Sequence, residues 1–189
     1  MLLLTLRGIP TCYSGDELGM QDVPLPKGLM HDPMGKEQPE KSRDPIRSPM
    51  QWDDSANAGF SPAGVRTWLP VASDYRTCNV VVEQHDPRSF LMLVRTLLDV
   101  QRSHSALSLG SYQSVDQENA TCFVYLRQSS NQRYLIALNF SDQEQTVKLP
   151  EMGKGRIVLS TYLDREELID LALLRLRRNE GNVIELATL

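Results

Sequence analysis

Proline is confined almost entirely to the first half of this chain. Ten of the eleven prolines lie at or before residue 87, and seven of the eleven glycines lie before residue 65. Proline removes a backbone donor and fixes φ, and glycine weakens the interior of helices and strands alike. The first 85 residues therefore cannot carry many long regular elements, whereas the remainder is free to do so. The two parts must be built differently. A length of 189 residues suits one domain or two small ones and is enough to bury a real core.

Within the first part, Leu2 to Leu6 is an apolar run broken only by Thr5, and Ile9 to Tyr13 is a second short run after Gly8. An apolar run without alternation suits a strand buried on both faces, as in a parallel sheet. Residues 2–13 thus predict one short strand followed by a loop. Residues 14–85 show no convincing helix or long strand and are rich in Pro, Gly, Asp, Ser and Asn. Met50, Trp52, Phe60, Trp68, Leu69 and Tyr75 argue against disorder there, because disordered segments are poor in aromatics. The stretch predicts a long ordered loop, a feature that is usually functional.

The second part opens with the clearest helix, over residues 87–102. Asp86 can cap it and Pro87 fits its first position. Phe90, Leu91, Val94, Leu97, Leu98 and Gln101 share one face at helical spacing, and the Ser-His-Ser run at 103–105 ends the periodicity. From about residue 111 the pattern changes to short strands. Residues 123–126, 134–139, 146–149, 156–160 and 182–186 are apolar runs separated by polar turns, which predicts an antiparallel sheet or sandwich. Residues 163–178 predict a helix through Leu168, Leu171, Leu174 and Leu176, with a Leu-rich strand–turn–strand as the alternative.

Twenty Lys and Arg against 24 Asp and Glu give a net charge of −4. This is the opposite of the basic footprint that nucleic acid requires. No apolar run approaches the ~20 residues that span a bilayer. Met1 to Leu4 is too short for a signal-peptide core and is followed by Arg7. Cys12, Cys78 and Cys122 are odd in number and widely spaced. They argue against a disulfide framework or a zinc site, and they suit a reducing cytoplasm. His31, His85 and His104 lie among polar residues with no ligand spacing, so no metal or cofactor is expected. Asn119-Ala120-Thr121 and Asn139-Phe140-Ser141 match the glycosylation acceptor pattern, which is common by chance.

Three stretches carry a family resemblance. Gly8-Ile9-Pro10-Thr11-Cys12-Tyr13-Ser14-Gly15-Asp16-Glu17-Leu18-Gly19-Met20 resembles the eighth barrel strand and following turn of the α-amylase superfamily, glycoside hydrolase family 13. Ser42-Arg43-Asp44-Pro45-Ile46-Arg47-Ser48-Pro49-Met50-Gln51-Trp52, with Asn57-Ala58-Gly59-Phe60 after it, is similar to a loop of the α-glucosidase and oligo-1,6-glucosidase branch. Trehalose synthases and sucrose isomerases carry similar loops. The likeness continues through Asp74-Tyr75-Arg76-Thr77-Cys78-Asn79-Val80 and the helix to Gly110-Ser111-Tyr112.

The resemblance implies an α/β barrel end segment, the last strand and helix of a (β/α)₈ barrel, followed by an all-β antiparallel C-terminal domain. Residues 1–105 would hold strand eight, the long subsite loop and helix eight, and residues 106–189 the C-terminal domain. A start just ahead of strand eight makes a truncated reading frame the simplest expectation, with an N-terminal barrel segment as the missing partner. The family implies a retaining glycosidase acting on α-linked glucose in oligosaccharides or disaccharides. Such enzymes use a carboxylate nucleophile and a carboxylic acid about 5–5.5 Å apart. In the family these come from earlier strands whose motifs are absent here, so no catalytic residue is assigned and the chain alone is expected to be inactive. The alternatives are a trehalose synthase or sucrose isomerase of the same family, or a non-catalytic relative such as the ectodomain of an amino-acid-transporter heavy chain.

Arg43 and Arg47 are the candidate substrate-binding residues. A loop after strand eight should reach the mouth of the barrel, and an arginine there can offer a forked set of donors to hydroxyls. The alternative is that both brace the loop through Asp44, Asp53 or Asp54. For Asp16 and Glu17 the resemblance implies braces that tie neighbouring loops by salt bridges and hydrogen bonds, and an acid–base pair is disfavoured because adjacent carboxylates on an extended chain point to opposite sides. Trp52, Phe60 and Trp68 could stack on sugar, but aromatic anchors of a long loop are commoner.

Overall fold

The computed structural model describes residues 1–115 and 119–187. The chain divides into two units, one made of Met1–Thr11 with everything from Leu93 onward, the other of Cys12–Met92.

The first unit is organised by a six-stranded sheet. Its strands are β1 (Ser111–Ser114), β2 (Cys122–Gln128), β3 (Arg133–Asn139), β5 (Lys154–Ser160), β6 (Leu168–Asp170) and β8 (Gly181–Leu186), in the order β1-β2-β3-β8-β5-β6. A second sheet pairs β4 (Gln145–Val147) with β7 (Leu174–Leu176), and every pair in both sheets is antiparallel. The predicted antiparallel domain is therefore present.

Its central strands are buried on both faces. Val124, Leu126, Leu135, Ala137, Ile184 and Leu186 point to one side, where they meet Val147, Leu149, Leu171, Leu174 and Leu176. Tyr125, Tyr134, Ile136, Leu138 and Val183 point to the other, among Leu4, Leu93, Leu97, Ala106 and Leu107. These last residues come from α1 (Leu2–Thr5), α4 (Phe90–Ser103) and α5 (Ser105–Ser108). Two-sided burial explains why β3 reads as a continuous apolar run. One irregularity confirms how strictly side-chain parity is kept. Ile157 and Leu159 are two apart yet face opposite cores, because a register shift lies between them and the extra residue flips the alternation.

Three expectations are corrected here. The run at 2–6 forms no strand. Leu2–Thr5 is a helical turn, and residues 9–13 make no ladder among the described residues. With no strand alongside, a helical turn satisfies its own amides, and leucine favours it. Thr5 Oγ1 adds a bond to Met1 O at 3.1 Å and meets Tyr125 Oη at 2.5 Å.

The stretch 163–178 is not helical either. It forms β6, a 3₁₀ turn at Leu171–Leu173 and β7, which is the Leu-rich strand–turn–strand named as the alternative. Asp170 Oδ1 caps the turn by accepting from Ala172 N at 2.9 Å, and Leu163 has φ 54°, which a helix cannot accommodate. Its leucines never formed one face: Leu168 and Leu173 are exposed while Leu171 and Leu174 are buried.

The long helix starts later than predicted, at Phe90. Asp86 Oδ1 instead accepts from Arg88 N in a turn, at 2.8 Å. The first turn of α4 is held by Ser89 Oγ, which accepts from Met92 N at 3.2 Å, and by Glu83 Oε2, which accepts from Leu91 N at 2.9 Å.

The second unit, Cys12–Met92, carries α2 (Pro33–Glu37), α3 (Val80–His85) and a series of 3₁₀ turns. Both helices were unforeseen. Each is capped by a side chain: Asp32 accepts from Gly35 N, and Asn79 from Val82 N. The unit's apolar cluster is small, with Leu18, Met50 and Leu91 buried and Met20, Cys78 and Val80 packed against them. Much of the bracing is polar. Buried Gln51 donates to Cys78 O at 2.6 Å and Asp74 Oδ1 at 3.2 Å, and Asn57 Nδ2 reaches Pro62 O at 3.0 Å and Val65 O at 2.8 Å.

Candidate functional site

Three of the sequence candidates, Arg47, Phe60 and Trp68, line a pocket of about 290 Å³ within the second unit. It forms where three loop pieces converge. The turn at Tyr13–Ser14 supplies one side, the 3₁₀ turn Asp44–Arg47 and the following Ser48, Pro49 and Met50 a second, and Phe60, Trp68 and Leu69 a third. Met50 and Leu69 are buried beneath it. Trp68 and Phe60 leave 66% and 52% of their surface exposed, which is unusual for large aromatics and makes the rim an apolar, planar surface. The ring of His31 meets Trp68 edge-on, with centroids 5.3 Å apart.

Arg47 lines this pocket; Arg43 does not. The guanidinium of Arg47 lies 3.6 Å from the fully buried carboxylate of Asp44 and keeps 39% of its side-chain surface exposed. Arg43 precedes the same turn, is exposed, and has no side-chain partner among the described residues. The bracing alternative is thus realised for one pairing only, Arg47 with Asp44. Asp53 instead accepts from Ser55 N at 2.9 Å and Ser55 Oγ at 2.5 Å, and that hydroxyl, followed by the amide, holds its pKa below the ordinary value.

Asp16 and Glu17 occupy a 3₁₀ turn rather than an extended segment. Asp16 Oδ2 accepts from Tyr13 N at 2.7 Å, and Glu17 Oε2 accepts from Gly15 N at 2.9 Å. Both fold back onto their own loop, and neither forms a salt bridge within it. Asp16 also borders a smaller hollow of about 140 Å³, which shares Tyr13, Ser14, Ile46 and Ser48 with the main pocket. Gly15 is required at this bend: its φ is 98°, and a Cβ there would lie 2.7 Å from Met20 Sδ. Trp52 lies outside the pocket.

Among the described residues, no group of three or more His, Cys, Asp or Glu could hold a metal ion. The cysteines are free. Burial, followed by the charges of Glu83 and Asp74, pushes the Cys78 thiol up to about 11, so it is protonated at neutral pH. Asn139 is buried, with Nδ2 bonded to Gln143 O at 2.7 Å and Arg177 O at 2.9 Å, so it is no accessible glycan acceptor in the folded chain. No helix among the described residues is long and apolar enough to cross a membrane.

Sequence reasoning underrated Asp44. Its Oδ2 accepts from His31 N at 2.6 Å and Asp32 N at 2.9 Å, and its own amide donates to Ser42 Oγ at 3.2 Å. The Asp-Pro dipeptide signalled a turn, but nothing in a single sequence marks that carboxylate as buried.

A family model for the alpha amylase catalytic domain matches residues 1–110, and one for the maltogenic amylase C-terminal domain matches residues 112–164. The oligo-1,6-glucosidase of Parageobacillus thermoglucosidasius is 30% identical over 203 residues, covering 96% of this chain and 36% of that protein. An amino acid transporter heavy chain of Mus musculus is 34% identical over 199 residues, covering 100% of this chain and 27% of its own length. The crystal structure of the trehalulose synthase MutB from Pseudomonas mesoacidophila MX-45 superposes with a TM-score of 0.85 at 30% identity, over 97% of this chain and 36% of MutB. An alpha-amylase catalytic segment followed by an antiparallel C-terminal domain places this chain in the alpha-amylase family. It spans about a third of the length of the curated relatives it matches.

Proposed function

We propose that this chain is the C-terminal part of a retaining α-glucosidase-type enzyme that acts on α-linked glucose in oligosaccharides or disaccharides. In this reading residues 1–105 complete a (β/α)₈ barrel supplied in its larger part by an N-terminal segment, and residues 106–189 form the end domain. Arg47 is the arginine that faces the sugar. The observation that carries the reading is the position of Arg47, half-exposed on a pocket rimmed by Tyr13, Phe60 and Trp68 while Asp44 anchors it from behind. A planar fork of donors suits adjacent hydroxyls, and aromatic faces suit the apolar face of a pyranose. Arg43 is the second choice because it lies off the pocket. Retaining hydrolysis runs on carboxylates and water and calls for no cofactor. The three free thiols support a reducing, cytoplasmic setting.

Asp16 and Glu17 are committed to backbone amides, so the chain alone should not turn over maltose, isomaltose or an aryl α-glucoside. The test replaces the matching third of the Parageobacillus oligo-1,6-glucosidase with this chain. The hybrid should hydrolyse isomaltose, and Arg47→Ala should lower its kcat/KM by about one to two orders of magnitude with little change in Tm. Release of an isomerised disaccharide instead of glucose would favour the sucrose-isomerase or trehalose-synthase variant, to which the likeness to MutB lends weight. The match to the transporter heavy chain supports a second, non-catalytic reading. In that case the hybrid folds but hydrolyses nothing.

A further inference from the structure

Asp44 is buried behind the pocket, in the same turn as Arg47, and its two oxygens do different things. Oδ2 is saturated by the amides of His31 and Asp32. Oδ1 is buried and accepts no hydrogen bond; what it faces is Arg47 Nη1, at 3.6 Å. That distance is too long for a hydrogen bond, so charge attraction holds Arg47 without locking it. The guanidinium keeps its other donors for the pocket. A buried carboxylate needs a counter-charge, so the pull on Arg47 is strong for a side chain that remains part-exposed. The same carboxylate also reaches toward the side of the pocket that carries Trp68. The backbone of His31 is pinned by Oδ2, and its ring abuts Trp68.

We propose that Asp44 is a positioning residue that couples two walls of this pocket, aiming Arg47 with one oxygen and holding Trp68 through His31 with the other. The proposal deepens the sugar-binding reading of the pocket, yet its central claim can be tested without sugar.

The test uses the full chain, labelled with ¹⁵N. The Arg47 Nε–H and Trp68 indole N–H signals report the two walls, and maltose is the probe ligand. Asp44→Asn keeps an oxygen for the two amides and removes the charge facing Arg47. It should leave Tm and the Trp68 signal near those of the parent, shift the Arg47 signal and speed its exchange with water, and weaken maltose binding about tenfold. In an Arg47→Ala background the same change should weaken maltose no further, because its effect runs through Arg47. Asp44→Ala also strands the two amides, and it should move the Trp68 signal as well. An Arg47 signal indifferent to Asp44→Asn overturns the proposal, and so does a Trp68 signal indifferent to a folded Asp44→Ala. Should Asp44→Ala not fold, His31→Ala takes its place, and it must move Trp68 while leaving Arg47 unchanged. If both signals respond as stated and the parent binds no maltose, the coupling stands and it is the sugar reading of the pocket that fails.

Discussion

In the sheet unit, β2, β3 and β8 each bury side chains on both faces, and two separate apolar clusters result. The unit of residues 12–92 has a cluster of three buried hydrophobics and depends instead on Asp32, Asp44, Gln51, Asn57, Asn79 and Glu83, whose side chains bond backbone groups. One unit is held by non-directional burial, the other by directional bonds at particular backbone positions. The second arrangement suits a binding loop. It fixes the backbone while leaving Arg47, Phe60 and Trp68 free at the surface, where an apolar core would have drawn them in.

The largest expected effect tests the burial side of that contrast. Ile184→Ala removes a fully buried side chain from β8 and should cost about 2–5 kcal/mol in urea unfolding. A loss below about 1 kcal/mol would mean that the sheet's two-sided core is not its main support.

The second test probes an exception. Glu180, just before β8, is a polar hub inside the sheet unit. It accepts from Arg177 N and Nη2, each at 2.7 Å, and from Ser160 Oγ at 3.1 Å. Burial alone would raise its pKa, but the hydrogen bonds and charge of Arg177, with the charge of Arg165, hold it below the ordinary carboxylate value. A lowered folded pKa means that Glu180 stabilises the fold above its unfolded value of about 4.3 and that this contribution is lost as pH falls through the folded value. Urea midpoints for parent and Glu180→Gln should differ clearly at pH 7 and converge toward pH 3. A gap that persists undiminished in acid would assign the effect to packing instead.

The smallest effect belongs to the loop unit. Asn79→Ala removes the cap of α3 and should cost about 1 kcal/mol, read as earlier hydrogen exchange at residues 80–85. Loss of the whole unit would mean that its polar bonds act cooperatively rather than one by one.

The same contrast decided what could be read in advance. Strands β2, β3, β5 and β8 were legible because apolar runs and polar turns are local signals. The run at 2–6 looked alike but lacks a neighbouring strand, and pairing is not a property of the run itself. The leucines at 163–178 misled because spacing was counted without regard to Asp170, whose carboxylate starts a turn. Arg43 and Arg47 were singled out together by residue type and likeness to a family loop, and only the fold separates them, with Arg47 on the pocket beside Phe60 and Trp68 and Arg43 off it. Asp44, Gln51, Asn57 and Glu83 were not, since a polar residue in a polar loop carries no mark of burial.

Arg127 extends this lesson to how the protein can change. Its guanidinium is fully buried on β2 and donates to three carbonyl oxygens, Thr5 O at 2.6 Å, Gly110 O at 3.1 Å and Ser111 O at 3.3 Å. Gly110 must stay small, because a Cβ there would lie 2.6 Å from Gln128 O. All three acceptors belong to the main chain, and those at positions 5 and 111 are present whatever side chain stands there. This clamp therefore tolerates sequence drift on its acceptor side and concentrates its whole mutational sensitivity on one arginine and one glycine.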